Sequence, residues 1–438
     1  MASTFIYRTE SAGNRRTFTW SAWIKRSKLG ASQFLAACSH SASDEAYFFF
    51  NGSDKLIWQS SSASYGDVQT NRVFRDTCSW YHIVLAVDTT QATASNRIRF
   101  YVNGVEETSF STATYPAQDT QVYWNVGGTY YPRIGRRHSS GDEFDGLMSH
   151  VAHIDGTQEL PTIFGETDST TGEWKIKTSI TPSSGWGTNG YHILKDGNSL
   201  TDQSGQGNNW TLGNGTLTKT EDNPSNIFAT WNPLWSQSNG NIGDVTFSQG
   251  NLTTATSSNY RTTPTTLGMK SGKYYWEIKR NETASGDTHF GVMSENATPA
   301  NTATWIGNAA NGWIMASNGA VYTGGSSSGI LSNGTVGNGA IFMGAYDGAT
   351  GKLYFGVDGT WAGTANPSTG ANPHYTLDTS LLYFPVVSTG DDVSANFGNG
   401  YFGTTAVSSA GTNASGIGIF EYDVPTGYTA LSTKGLNT

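Results

Sequence analysis

The chain has 438 residues and a formal net charge of −9; only 13% of residues are charged, while 13% are aromatic and 53 are glycine. That length is too great for one ordinary core and suits two or three domains. Low charge with many aromatics is the reverse of a disordered composition. The densest basic pairs, Arg15-Arg16 and Arg136-Arg137, stand isolated, so no phosphate-binding stripe is present and nucleic acid is excluded as an expected partner.

Short aromatic and β-branched runs between Gly, Asn, Ser and Thr turns predict an all-β protein. Residues 17–25, TFTWSAWIK, put Phe18, Trp20, Ala22 and Ile24 on one face. Trp23 falls on the other, which predicts a strand covered on both sides. The run YHIVLAVD (81–88) and the run RIRFYVNG (97–104) alternate in the same way, and Asn103-Gly104 is a two-residue hairpin signal. A further strand, GLMSHVAHID, spans 146–155, and ELPTIFGE (159–166) is the best short helix candidate, with Pro161 suited to its first turn. These elements predict one antiparallel sandwich over residues 1–170.

Residues 171–240 are turn-rich and hold Trp186, Trp210, Trp231 and Trp235. They read as a connector packed on its neighbours, since a flexible linker would not carry those rings. A second β series occupies 241–400, from GDVTFS through KYYWEIKR, GAIFMGAY and GKLYFGVDG to DVSANFG. Both faces of GAIFMGAY are apolar, which predicts a central strand; Pro385 in YFPVV predicts an edge or a bulge. The tail, 401–438, is expected to pack through Phe420, Tyr422 and Tyr428.

Two cysteines, Cys38 and Cys78, are too few for a disulfide scaffold and read as buried thiols, with one bridge left open. The opening MASTFIYRTESAGNRR has no apolar h-region, and no run of about 18 apolar residues exists. The expectation is synthesis in a cytoplasm without export, and no membrane insertion.

Catalytic patterns are missing. Retaining glycosidases on β-sandwiches need carboxylates at i and i+2 or i+4 of a strand. Glu277 is followed at that spacing by Lys279, and Glu143 and Asp145 sit in a turn between Gly141 and Gly146. His150 and His153, three apart on a strand, face opposite ways and cannot share an ion. Sugar recognition needs aromatic faces with polar neighbours, and the candidates are expected in loops, since strand aromatics are mostly core. Tyr130, Tyr131 and Arg133 in NVGGTYYPRIGRR, Trp305 in NTATWIGN and Trp361 in DGTW are the ligand-binding candidates. The competing reading is that each covers a sandwich end.

The stretches TFTWSAWIKRS (17–27), SWYHIVLAVDTT (79–90), NRIRFYVNGVEE (96–107) and EFDGLMSHVAHIDG (143–156) together resemble a laminin-G-like, concanavalin A-type jelly roll. SGKYYWEIK (271–279), HFGVM (289–293), MGAYDGATGKLYFGVDGTW (343–361) and VSANFG (393–398) resemble a SPRY domain, another concanavalin A-like sandwich. With DQSGQGNNW, NPSNIFATWNPL and FEYDVPTGYTAL, the combination is similar to tail-fibre or head-fibre proteins of tailed phages. This resemblance implies a structural protein on the virion exterior that adheres to host-surface glycan and contacts other virion proteins. It implies no catalysis and no obligatory cofactor; a homo-oligomer, a trimer by analogy with fibres, is expected. The alternatives are a polysaccharide-degrading enzyme and an architectural cementing protein. Laminin-G-like folds sometimes hold calcium at a rim, which makes Asp88 and Asp202 candidate ligands; turn capping explains both equally well.

Overall fold

The computed structural model describes residues 4–41, 44–60, 65–138, 142–235, 245–256, 261–281, 287–297 and 305–437. Gly141, the last connector residues (236–240), the first two residues of GDVTFS and the four residues before Trp305 lie outside the described residues. The chain divides into two compact units, Met1–Lys219 and Thr220–Thr438. The boundary falls inside the segment read as a connector.

In the first unit an 8-stranded antiparallel sheet runs Phe110–Thr114, Asp67–Val73, Lys55–Ser60, Asp44–Phe50, Gln33–Ser41, Tyr131–Ile134, Phe5–Tyr7 and Thr211–Asn214. A 6-stranded antiparallel sheet runs Tyr191–Ile193, Gly146–Asp155, Thr17–Arg26, Tyr81–Asp88, Ile98–Val102 and Val105–Glu107. The shared core takes alternate residues of both, including Phe18, Trp20, Phe48, Trp58, Leu85 and Phe100. The other face of the 6-stranded sheet is covered too, as Trp23 required. Its ring stacks on His82 at 4.9 Å, and Ile163, Phe164 and Trp186 pack over Val84, Ala86, Ala152 and Ile154. The expected helix at 159–166 is instead a single 3-10 turn, Pro161–Ile163, followed by the strand Gly165–Thr167 paired with Trp174–Ile176. Gly165 lets this strand lie close beneath the Trp174 indole, where a Cβ would stand 2.6 Å from the ring.

The connector residues are therefore sheet and core. Tyr191–Ile193 and Thr211–Asn214 are edge strands of the first unit, and Trp210 lies in its core. Trp231 belongs to the core of the second.

The second unit has a 9-stranded sheet whose main path is Val245–Ser248, Thr253–Thr256, Val393–Asn396, Lys273–Arg280, Ile341–Asp347, Lys352–Val357 and Thr360–Trp361. Opposite it lies a 6-stranded sheet of Arg261–Pro264, Tyr383–Thr389, Thr288–Ser294, Gly312–Ala316, Asn318–Thr323 and Ser326–Thr335. These two units are antiparallel β-sandwiches. Ile341–Asp347 is central, with Phe342 and Tyr346 in the inter-sheet core and Met343 and Ala345 on the outer face. Pro385 is neither at an edge strand nor at a bulge: Tyr383–Thr389 is flanked on both sides, but Arg261–Pro264 ends opposite Val386, so no strand residue faces Pro385 on that side.

The C-terminal segment covers the outer face of the 9-stranded sheet. Phe420, Val424 and Tyr428 pack on Tyr275, Met343 and Tyr354, and Thr429–Ala430 pairs in parallel with Tyr274 and Tyr275. Glu277 pins this cover. Its carboxylate accepts the backbone N–H groups of Glu421 (3.0 Å) and Tyr422 (2.9 Å), the Tyr275 hydroxyl (2.9 Å) and the Asn396 amide (3.2 Å). Burial pushes its pKa up to about 7, against those donors, which favour the anion.

Two outcomes are expected from this packing. A Cβ at Gly344 would meet the Trp276 ring at 2.2 Å, so Gly344→Ala forces a central strand and an indole apart; chemical denaturation is expected to show a loss of about 1–3 kcal/mol. For Glu277 the folded pKa lies above the unfolded one. Its contribution is therefore full at low pH and is lost as pH rises from about 4.5 to about 7. The stability of the natural protein relative to Glu277→Gln is expected to fall by ~3 kcal/mol across that window. Denaturant unfolding of both proteins at stepped pH measures it, and a rise instead would mean the four donors hold the anion.

Candidate functional site

Each large sheet has an outer face, and three of these are covered by apolar side chains from other segments. On the outer face of the 8-stranded sheet, the exposed side is a row of rings and polar groups. Strand register sets Tyr7, Arg133, Ala37, Tyr47, Gln59 and Asp67 side by side across six strands. A second row pairs Tyr131, Ser39 and Glu45, and a third pairs Phe34, Phe49 and Ile57. The residues between them in sequence, among them Ile134, Ala36, Phe48, Trp58 and Val68, point into the core.

The rings on this face are locked against one another. Phe34 and Phe49 stack at 4.6 Å, and Tyr47 meets Phe34 edge-on at 5.2 Å. The Arg137 guanidinium lies 5.3 Å from the Phe34 centroid, and that of Arg133 lies 5.9 Å from Tyr131. Arg133 also donates to Ser39 Oγ at 2.6 Å. Tyr7, Tyr47, Phe49, Tyr131 and Arg133 are all half-buried, so each side chain keeps part of its surface in solvent. Burial raises the carboxyls of Glu45 and Asp67 above the usual range, and Glu45 Oε2 is buried with no hydrogen-bond partner. Flat apolar rings flanked by guanidinium, amide and carboxyl groups can take the C–H face of a sugar and its hydroxyls together.

The expected site residues are divided by the fold. Tyr131 and Arg133 share this face, but they lie on a strand, not in the loop the sequence implied. Tyr130 turns to the sheet rim, stacked on Tyr123 at 6.1 Å beside His40 at 5.2 Å, with Tyr65 edge-on to Tyr123. Trp305 stacks on His289 at 4.6 Å over the 6-stranded sheet of the second unit. Trp361 is half-buried on the 9-stranded sheet, edge-on to Tyr275 at 6.3 Å beneath the C-terminal cover. It sits on the return strand of a hairpin, opposite Gly356. Sequence reasoning missed Tyr7, Tyr47, Phe49 and Glu45; the alternation of DEAYFFF was the available signal.

The calcium candidates are ringed by donors. Asp88 accepts from Thr90 N and Oγ1, Gln91 Nε2 and Thr17 Oγ1. Burial raises its pKa, but these bonds outweigh that and hold it below the usual range. Asp202 accepts from the backbone N–H groups of His192, Ser204 and Asn208 and from Ser204 Oγ. Calcium needs six to eight oxygen ligands, whereas N–H and O–H groups aimed at a carboxylate are turn caps. Among the described residues no three His, Cys, Asp or Glu side chains cluster as a metal site.

Ser21 and His82 have a nucleophile-like contact of 2.9 Å, but it is built the wrong way round. Trp174 Nε1–H donates to His82 Nδ1 at 3.0 Å, so Nε2 carries the proton and donates to Ser21 Oγ. Both side chains are buried. His153 sits in the core, bonded to Asn125 at 3.0 Å. Cys38 and Cys78 are not bridged to each other; Cys38 is buried and Cys78 half-buried.

A family model described as the concanavalin A-like lectin/glucanases superfamily, of laminin G type, matches residues 6–160. That region is a concanavalin A-like domain, and a lectin/glucanase domain is consistent with carbohydrate binding. Among solved structures the chain is similar to the SPRY domain of human HERC1, at 16% identity over 38% of this chain and 96% of that one, with a TM-score of 0.29. It is similar to the TRIM65 PSpry domain at 12% identity over 38% and 88%, TM-score 0.29, and to stonustoxin at 14% over 57% of this chain and 33% of that one, TM-score 0.30. No curated protein matches.

Proposed function

We propose that the protein is a surface component of a tailed-phage virion, a fibre, spike or decoration protein, whose first unit binds host-surface glycan on the outer face of its 8-stranded sheet. The observation that carries the binding reading is the ordered ring face itself: Tyr7, Tyr131, Tyr47 and Phe49 beside Arg133, Gln59 and Glu45, on a domain matched by a lectin/glucanase family. The virion assignment rests on the resemblance of residues 202–210, 223–234 and 420–431 to phage fibre proteins. Its partners are then neighbouring virion proteins and copies of itself. A shallow face of this kind binds weakly, and display in many copies raises avidity by ~10²–10⁴.

A second reading, polysaccharide cleavage, draws on Glu45, whose raised carboxyl suits a general acid. Asp67, the other carboxylate in the strand rows of this face, lies two strands away and two residues along. Strand geometry puts their backbones roughly 12 Å apart, against about 5–9.5 Å between the carboxyls of glycosidase pairs.

Glycan-array binding of the full chain tests the assignment. Tyr131→Ala, Tyr47→Ala and Arg133→Gln are each expected to weaken retention about tenfold, the equivalent of one lost stacking or charged contact, with unfolding temperatures measured alongside. Binding by all three at natural strength, or no retained glycan, overturns it. Release of reducing ends that Glu45→Gln abolishes would favour the enzyme; binding to purified particles but never to host cells would favour an architectural role.

A further inference from the structure

Two imidazoles of the first unit lie side by side, each with a buried ring nitrogen that has no partner. His150 and His192 have ring centroids 5.5 Å apart. The Nε2 atoms of both are buried without a hydrogen bond. They belong to the sheet opposite the ring face, so the pair stands apart from the glycan reading and does not depend on it.

The local backbone is built to bring them together. Gly146–Asp155 pairs Ser149 with Trp23 and Ala152 with Ser21, so His150 and Val151 together oppose Ala22 in a bulge. His150 takes a φ of 49°, in the left-handed region that few non-glycine residues enter. Its N–H donates to the Leu194 carbonyl at 3.0 Å, which ties the bulge to the neighbouring strand that carries His192. Bulges re-aim side chains near functional sites. His150 Nδ1 and Ser149 Oγ are 2.8 Å apart; with Nδ1–H donating to that hydroxyl, Nε2 holds a free lone pair, the ligating form of the ring. His192 is held from its other side by Trp186, nearly parallel at 6.0 Å.

Two unsatisfied buried nitrogens are unfavourable, and one cation between the rings would satisfy both. Two imidazoles on one ion, each with a bond of about 2.0–2.1 Å, place their centroids about 5–6 Å apart. We propose that His150 and His192 form a two-imidazole site for a divalent transition ion, Zn²⁺ or Cu²⁺, whose remaining positions are filled by water. The charged neighbours are Lys195, which opposes a cation at both rings, with Asp196 near His150 and Asp202 near His192, which favour one.

The test uses the full chain without a histidine tag, stripped with chelator, in a Cys78→Ser background so that no half-exposed thiol competes. Calorimetric titration with Zn²⁺ is expected to show one ion per chain and a raised unfolding temperature. Cu²⁺, the tighter binder of the series, is expected to give an electron paramagnetic resonance spectrum with superhyperfine splitting from two nitrogens. His150→Gln and His192→Gln should each weaken binding at least tenfold, while the exposed His138→Gln leaves it unchanged. Failure of the intact chain to retain either ion, a spectrum without two nitrogen ligands, or unchanged binding in both variants overturns the proposal. The spectrum of the unmutated ring pair decides it if either variant does not fold.

Discussion

A chain this poor in charge and rich in aromatics must bury rings on both faces of its sheets, and that constraint organises the molecule. Two sheets facing each other satisfy one side only. The other side needs cover from segments that are not sheet-forming by pattern. In the first unit Phe164, Trp174 and Trp186 supply it; in the second, Phe420, Val424 and Tyr428 do. The outer face of the 8-stranded sheet meets the same demand differently. Its rings shield one another and are interleaved with guanidinium and carboxyl groups. A face that is ordered yet left half-wet is what a weak, broad ligand can use.

Cover needs an anchor as well as apolar contact, because backbone groups brought over a sheet must still be hydrogen-bonded. Glu277 meets two such N–H groups with one side chain. On the other sandwich the anchor is an uncharged chain of contacts, Ser21 to His82 to Trp174. The second solution places a serine beside a histidine without any of the chemistry that pair performs elsewhere, since the indole fixes the proton on the wrong nitrogen.

Legibility obeyed the same constraint. Thr17–Arg26, Tyr81–Asp88 and Ile341–Asp347 were readable because their alternation is intact or because both faces are apolar. Most of the 8-stranded sheet was not. Register shifts between Phe34 and Ala36, between Ser39 and Ser41, and between Lys55 and Ile57 break the period of two that a strand shows in sequence. Tyr131–Ile134 is four residues long and contains Pro132, which is why Tyr131 and Arg133 read as loop. Of the candidate site, two residues were visible and their companions were hidden on strands whose pattern is interrupted. The reach of the first unit into the connector was hidden because Thr211–Asn214 is held by Phe5–Tyr7, a pairing no local window contains. The His150–His192 pair was invisible for both reasons: a bulge changes the facing of one ring, and the other comes from a distant strand.

The strand Phe5–Tyr7 lies between Tyr131–Ile134 and Thr211–Asn214. Both of its neighbours come much later in the chain. During synthesis roughly 200 residues must be added before its second neighbour exists, a delay of about 10–40 s at ordinary ribosome speeds of about 5–20 residues per second. Throughout that interval one edge of this short strand stands unpaired, open to other chains on the same polysome. The topology thus ties the yield of folded protein to the rate at which the chain is made.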